Sequence, residues 1–384
     1  MNITYVVQSL STHGGIEKIV TLKANYLASQ NDYNISIITY DQGKKPIFFK
    51  LDEKIKIFDI AVGLPKHSNN MIKRKFNFYQ YRKLFLDKIA NLVSILNPDI
   101  IISVGGTEFF IIHSLNDKSI KLAEYHVTIA YFQYYQQKEQ NKLKTLFLKT
   151  NLKNFLRNVK KYEEFIVLTE GDKKAWGQYS KNISKIPNFL TMDLYEQSSL
   201  DKHVAIAVGR FEIEKQFDHL ILAWKEITKK YPNWLLKLKG SGSQEKSYRS
   251  LVKKLNLENN VEIIPPSESM KEFYLEASIY LMSSKFEGFS LVILEALQAG
   301  LPVISYDCRY GPSELIEDGF NGFLVEQDNI DELVNKIINL IEDKDLRKKM
   351  GDNALLISKN YEKDKVMEQW MNLFNFKVRN RLKY

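Results

Sequence analysis

One cysteine, Cys308, is all that the 384 residues contain, so no disulfide can close within the chain and a reducing cytoplasm is the expected compartment. Long apolar runs are missing as well, and nothing approaches the ~20 residues needed to span a bilayer. The opening Met1-Asn-Ile-Thr-Tyr-Val-Val7 has no basic segment ahead of a sustained apolar core, and it reads as a first strand rather than a signal peptide. A soluble or peripheral protein is expected. No compact cluster of Asp and His suggests a metal, and no strand-to-helix loop carries the dinucleotide spacing G-x-G-x-x-G, which disfavours an NAD-dependent oxidoreductase. No recognised nucleic-acid motif accompanies the excess of lysine and arginine, so nucleic acid is not the expected partner. The formal charge is nevertheless +9, and it asks for an anionic substrate or an anionic membrane surface.

What is present is the composition of a globular protein, with 44% hydrophobic and 26% charged residues, in a chain long enough for two domains of ~150–200 residues. Apolar runs at 3–7, 35–40, 55–60, 99–104, 121–126 and 164–169 read as strands, with helices between them, notably at 91–96 and 171–179. A second series has strands at 204–208, 234–238, 261–264, 279–282, 303–306 and 322–325, then helices at 328–341, 346–357 and 362–374. Alternation of this kind predicts an α/β protein built on open parallel sheets covered on both faces. The pattern breaks around Ile186-Pro-Asn-Phe-Leu, which gives a first domain at 1–185, a linker at 186–202 and a second domain at 203–361.

Ligands of such sheets bind at the carboxyl ends of the strands, so the loops there hold the candidates. Gly14 and Gly15 follow the first strand, where a plain tight turn or a close approach to a diphosphate would need the same residues. His126 ends another strand. Arg210 and Lys215 lie in the loop after 204–208, as salt-bridge partners or as counter-charges to a diphosphate. Gly240 lies in a glycine turn after the next strand. Ser283-Ser-Lys-Phe-Glu-Gly-Phe-Ser-Leu-Val-Ile-Leu-Glu-Ala-Leu-Gln-Ala-Gly300 reads as strand end, loop and helix. A helix starting near Phe289 would put Glu287 beside its amino end and Glu295 two turns on, both facing one ligand. The amides of Gly288, Phe289 and Ser290 could hold a phosphate or sugar there.

Glu-Gly-Phe-Ser-Leu-Val-Ile-Leu-Glu, spanning Glu287 to Glu295, closely resembles the E-x7-E signature of the retaining glycosyltransferases of family 4. Val208-Gly-Arg-Phe-Glu-Ile-Glu-Lys215 is similar to that family's G-R-x4-K element, and Gly14-Gly-Ile-Glu17 to its G-G-x-E loop. Tyr306-Asp-Cys-Arg-Tyr-Gly-Pro-Ser313 resembles the members that glucosylate teichoic acids.

The resemblance is dense from 204 to 324 and sparse before that. It implies the GT-B fold, two Rossmann-like doubly wound domains facing a central cleft, with the last helix, 362–384, packing back on the first domain. It also implies transfer of a sugar from a nucleotide-diphosphate donor, a UDP-sugar, to a hydroxyl of a cell-surface glycan, lipid-linked or teichoic-acid-type acceptor. On this reading Glu287 and His126 lie at the donor sugar and Glu295 on the ribose. Arg210, Lys215 and the amides of Gly15 and its neighbours stabilise the leaving diphosphate, Gly240 lines the donor site, and no metal or other cofactor is needed. A nucleotide-sugar epimerase and a non-catalytic nucleotide-sugar or polysaccharide binder remain as alternatives.

Two segments, 71–83 and 142–161, are strongly basic, the second with Leu148, Leu152, Phe155, Leu156 and Val159 at helical spacing. Such helices lie on anionic lipid or pack on a sheet with their lysines in water, and either use fits the pattern.

Overall fold

The computed structural model describes residues 1–12, 14–66, 71–138, 142–267 and 270–381. It divides into two units, Met1–Leu168 with Asp172–Ile186 and Val366–Tyr384, and Thr169–Gly171 with Pro187–Lys365.

The first unit is wound as β1 (Asn2–Val7), α1 (Gly15–Ser29), β2 (Asn34–Thr39), β3 (Lys56–Asp59), α2 (Met71–Leu96), β4 (Ile100–Ser103), β5 (Ile120–Glu124), α3 (Ile129–Lys138), α4 (Lys142–Val159), β6 (Glu164–Val167), α5 (Glu170–Gly177) and β7 (Ile183–Lys185). Its strands form one sheet in the order β3-β2-β1-β4-β5-β6-β7, every pair parallel. Ile3 pairs with Ile35 on one side and Ile100 on the other, so β1 is central and its apolar run is buried on both faces, as a parallel sheet requires.

The second unit runs β8 (Val204–Val208), α6 (Phe217–Thr228), β9 (Leu235–Lys239), α7 (Glu245–Lys254), β10 (Val261–Ile264), α8 (Lys271–Leu275), β11 (Ile279–Met282), α9 (Leu291–Gln298), β12 (Val303–Tyr306), α10 (Pro312–Leu315), β13 (Gly322–Val325), α11 (Ile330–Glu342) and α12 (Lys344–Ser358). Its parallel sheet has the order β10-β9-β8-β11-β12-β13. Phe211, Phe217, Trp224 and Tyr248 pack one face of it, each buried aromatic contributing roughly 1.5–3 kcal/mol. The final helix α13 (Lys363–Arg381) belongs to the first unit from Val366 onward. There Lys377 Nζ donates to the Glu163 carbonyl at 2.8 Å.

Several elements depart from the expected pattern. The stretch expected as a linker is part of the second unit from Pro187 on. Its polar groups are tied down, Ser198 N donating to the Ala299 carbonyl at 2.8 Å and Gln298 Nε2 to that of Met192 at 3.0 Å. A three-residue edge strand, β7, and the tyrosine-rich helix α3 were not expected, because neither has a clear apolar period. α2 starts at Met71, so the whole basic segment 71–83 is helical, and 142–161 falls largely on α4.

Candidate active site

In the second sheet the chain runs outward from β8 to β9 and β10, then returns to lay β11 on the other side of β8. Loops leaving β8 and β11 therefore lie at this reversal of strand order, where open α/β sheets have their ligand crevice. Lys215 enters from the first loop and Glu287 from the second, and Lys215 Nζ donates to Glu287 Oε1 at 2.5 Å. Ser284 Oγ donates to the same oxygen at 2.8 Å. The loops are fastened to each other by Ser283 Oγ, 2.8 Å from the carbonyls of both Lys215 and Gln216, and by Lys285 N on the Glu214 carbonyl at 2.8 Å. Side chains of Lys215 and Glu287 are 18% and 12% exposed, sheltered enough to strengthen the pair yet reachable by a ligand. Arg210 is different. Its side chain is 76% exposed and its guanidinium lies 3.6 Å from Glu214 Oε1, too far for a hydrogen bond.

Gly240 has a packing reason to be glycine. A Cβ there would sit 1.9 Å from the Gly209 carbonyl oxygen, so the turn after β9 can approach the loop after β8 only without a side chain.

Helix α9 starts at Leu291, two residues later than the sequence predicts, with Ser290 as its N-cap. Serine there usually accepts a helix N–H, but this one makes no cap bond and its hydroxyl lies 3.5 Å from Met282 Sδ instead. The positive end of the α9 dipole is thus left without a cap from the Ser290 side chain. Farther along, Glu295 is buried, 6% exposed. Its Oε1 accepts from Thr191 Oγ1 at 2.7 Å and its Oε2 from Tyr274 OH at 2.9 Å. Burial, then the charge of Glu295, pushes the Tyr274 hydroxyl well above its usual range, which keeps it a donor. Glu287 and Glu295 therefore do not share an exposed face. One is ion-paired between the loops after β8 and β11, while the other is sunk among hydroxyls.

In the first unit Gly14 is the N-cap of α1. Glu17 folds over this turn, its carboxylate accepting from Thr12 Oγ1 at 2.6 Å, and a Cβ on Gly14 would lie 2.3 Å from Glu17 Oε2. Residue 13 of this loop lies outside the described residues. His126, just past β5, has Nε2 3.1 Å from Glu124 Oε1. Glu124 is itself ion-paired with Lys23, both side chains 1% exposed. Burial alone would raise the Glu124 carboxyl, but Lys23 and His126 outweigh it and bring it down to about 2. The Lys23 ammonium, drawn below its usual range by burial, stands over the rings of Trp370 at 4.2 Å and Tyr5 at 5.9 Å.

Sequence reasoning missed Ser284, Thr191, Tyr274 and the Lys23–Glu124 pair. For Lys23 a signal existed. It falls four residues after Ile19 and four before Leu27, inside the apolar stripe of α1, where a lysine must find a counter-charge.

Cys308 is buried and its thiol is pushed up, by burial first and then by Glu287, which suits a packed residue rather than a nucleophile. Among the described residues no group of three or more His, Cys, Asp and Glu is placed to hold a metal ion. Among the same residues no helix is long and apolar enough to cross a membrane.

Residues 195–356 match the family model described as glycosyl transferases group 1. An uncharacterised glycosyltransferase of Haemophilus influenzae is 32% identical over 97% of this chain and 99% of its own length. A poly(ribitol-phosphate) alpha-N-acetylglucosaminyltransferase of Staphylococcus aureus is 30% identical over 59% of this chain and 47% of its own. Among solved structures, a variant of S. aureus TarM crystallised with fondaparinux, alpha-GlcNAc-glycerol and UDP superposes with a TM-score of 0.78 over 97% of this chain and 99% of that one, at 19% identity. The two-sheet architecture is that of the GT-B glycosyltransferases, and the chain belongs to the group 1 glycosyl transferases.

Proposed function

We propose that this glycosyltransferase moves a sugar from a UDP-sugar to a hydroxyl of a cell-surface glycan, lipid-linked sugar or teichoic-acid-type polymer, retaining the anomeric configuration and using no metal. The observation that carries the reading is the Lys215–Glu287 pair at the strand-order reversal of the second sheet, beside the uncapped start of α9. A relative named as a poly(ribitol-phosphate) transferase and a neighbour crystallised with UDP support the choice of donor and acceptor.

In the reaction the bond from the anomeric carbon to the β-phosphate oxygen breaks, and its electrons stay on that oxygen. The acceptor hydroxyl attacks from the face the diphosphate leaves, and its proton passes to the departing phosphate. Negative charge growing on the diphosphate is what must be stabilised. Lys215 has three donors, so it can keep Glu287 and still bind a phosphate oxygen, and Arg210 can swing its fork onto the other. The loop amides of Gly288, Phe289 and Ser290, just ahead of α9, add partial positive charge. Glu287 takes a sugar hydroxyl, Glu295 the ribose hydroxyls, and Gly240 leaves room beside the donor. In the first unit, Gly14 and Gly15 are assigned to the diphosphate and His126 to the sugar.

The exposed cations Lys149, Lys153 and Arg157 on α4 fit an enzyme that works at an anionic membrane surface on the cytoplasmic side. UDP release from UDP-sugars should require acceptor, persist in excess chelator, and yield a product whose anomeric coupling matches the donor. Donor conversion without acceptor would indicate an epimerase, binding without turnover a lectin-like protein, and inversion would refute the mechanism.

A further inference from the structure

His126 and Glu124 are two residues apart at the end of β5, so their side chains leave the sheet on the same side. The ring nitrogen nearest the carboxylate is Nε2, at 3.1 Å, and it is sealed from solvent without a hydrogen bond of good geometry. Catalytic hydrogen bonds are often this loose before substrate arrives and tighten afterwards. A carboxylate only accepts, so the nitrogen facing it must carry hydrogen. In a neutral ring the lone pair is then on Nδ1. We propose that Glu124 and Lys23 are positioning residues that hold His126 as its Nε2–H tautomer, so that Nδ1 is the ring atom offered to a sugar hydroxyl.

Lys23 has its own part in this. Left bare, the Glu124 carboxylate would be a buried, unpaired charge free to turn away from the ring. Paired with Lys23, it orients the ring while its charge is cancelled. Lys23 could not stay charged at 1% exposure without that partner and the faces of Trp370 and Tyr5. The groups that face this cluster are thus Glu124 from β5, Lys23 from α1, Tyr5 from β1 and the uncharged Trp370 from α13. The last helix of the chain holds the far end of the relay. A different role, a buried ion pair that merely stabilises the core, would leave the tautomer of His126 to chance.

The inference rests on the reading that His126 meets the sugar, and the test separates the two. In full-length protein labelled with 15N-histidine, two-bond 15N–1H spectra at pH 7 should show His126, assigned by its loss in His126→Gln, as the Nε2–H tautomer. Replacing both, Lys23→Met with Glu124→Leu, keeps the core apolar and should erase the tautomer preference. Turnover should then fall roughly 10–100-fold, the scale of losing a group that orients a working histidine, with the donor KM little changed. An Nδ1–H tautomer in the wild-type protein, or an Nε2–H preference that survives the double change, would overturn the relay; the wild-type spectrum decides even where a variant fails to fold. If His126→Gln leaves turnover intact, the contact with sugar is refuted and the relay is judged on the spectra alone.

Discussion

At the carboxyl ends of β4 and β5 in the first unit, the carboxylates are buried. Glu108, fully enclosed, accepts from Tyr40 OH at 2.8 Å, Ser103 Oγ at 3.1 Å and the amides of Val104 and Gly106, and burial lifts its carboxyl above the usual range. Glu124 is locked to Lys23. At the matching ends of β8 and β11 in the second unit, Lys215 and Glu287 remain partly exposed and Arg210 largely so. The same sheet topology thus holds two kinds of charge. Buried groups are committed to partners and define geometry, whereas half-exposed ones can change partner when an anion arrives, which is what a diphosphate site requires.

The strongest way to break this contrast is to remove the exchangeable cation. Lys215→Ala should cost ~3 kcal/mol in transition-state stabilisation, or on the order of 100-fold in kcat/KM, and Arg210→Ala a similar amount. Lys215→Ala should be the worse, since it also leaves Glu287 unpaired. Wild-type circular dichroism with the lost turnover is the expected result, and unchanged turnover in either variant would remove the diphosphate role.

Gly240→Ala sharpens the contrast on the structural side. A methyl placed 1.9 Å from the Gly209 carbonyl forces the loops after β8 and β9 apart, at about 1–3 kcal/mol. Calorimetry should show a lower Tm by about 2–4 °C for each kcal/mol lost. A Tm equal to wild type would mean that this turn has slack.

The smallest effect is expected from the surface cations of the first unit. Changing Lys149, Lys153 and Arg157 to Glu should leave the fold intact and weaken sedimentation with anionic vesicles, each lost cation counting for on the order of 1 kcal/mol and the effect fading as salt is raised. Indifference of the wild-type protein to anionic vesicles at low salt would assign α4 to ordinary solvated surface.

How far the sequence could be read follows the same divide. Lys215 and Glu287 stand in short contiguous patterns, strand-loop-helix each time, so local order was enough to find them. All six strands of the second sheet were legible as apolar runs for the same reason. Glu124 meets Lys23 across 101 residues, and Glu295 meets Thr191 across 104, pairings that only the packed sheets create. The amino-terminal half also hides α3 behind tyrosines and β7 in three residues, too little periodicity for either to declare itself.

The division of labour between the two glutamates is the point at which the site is most exposed to refutation. Calorimetric titration of UDP into wild-type protein, Glu287→Ala and Glu295→Ala should show Glu295→Ala weakening UDP through the lost ribose contact, while Glu287→Ala binds UDP about as well as wild type and loses turnover. Equal losses of UDP affinity in both variants, or none in Glu295→Ala, would contradict the assignment of the donor to this crevice.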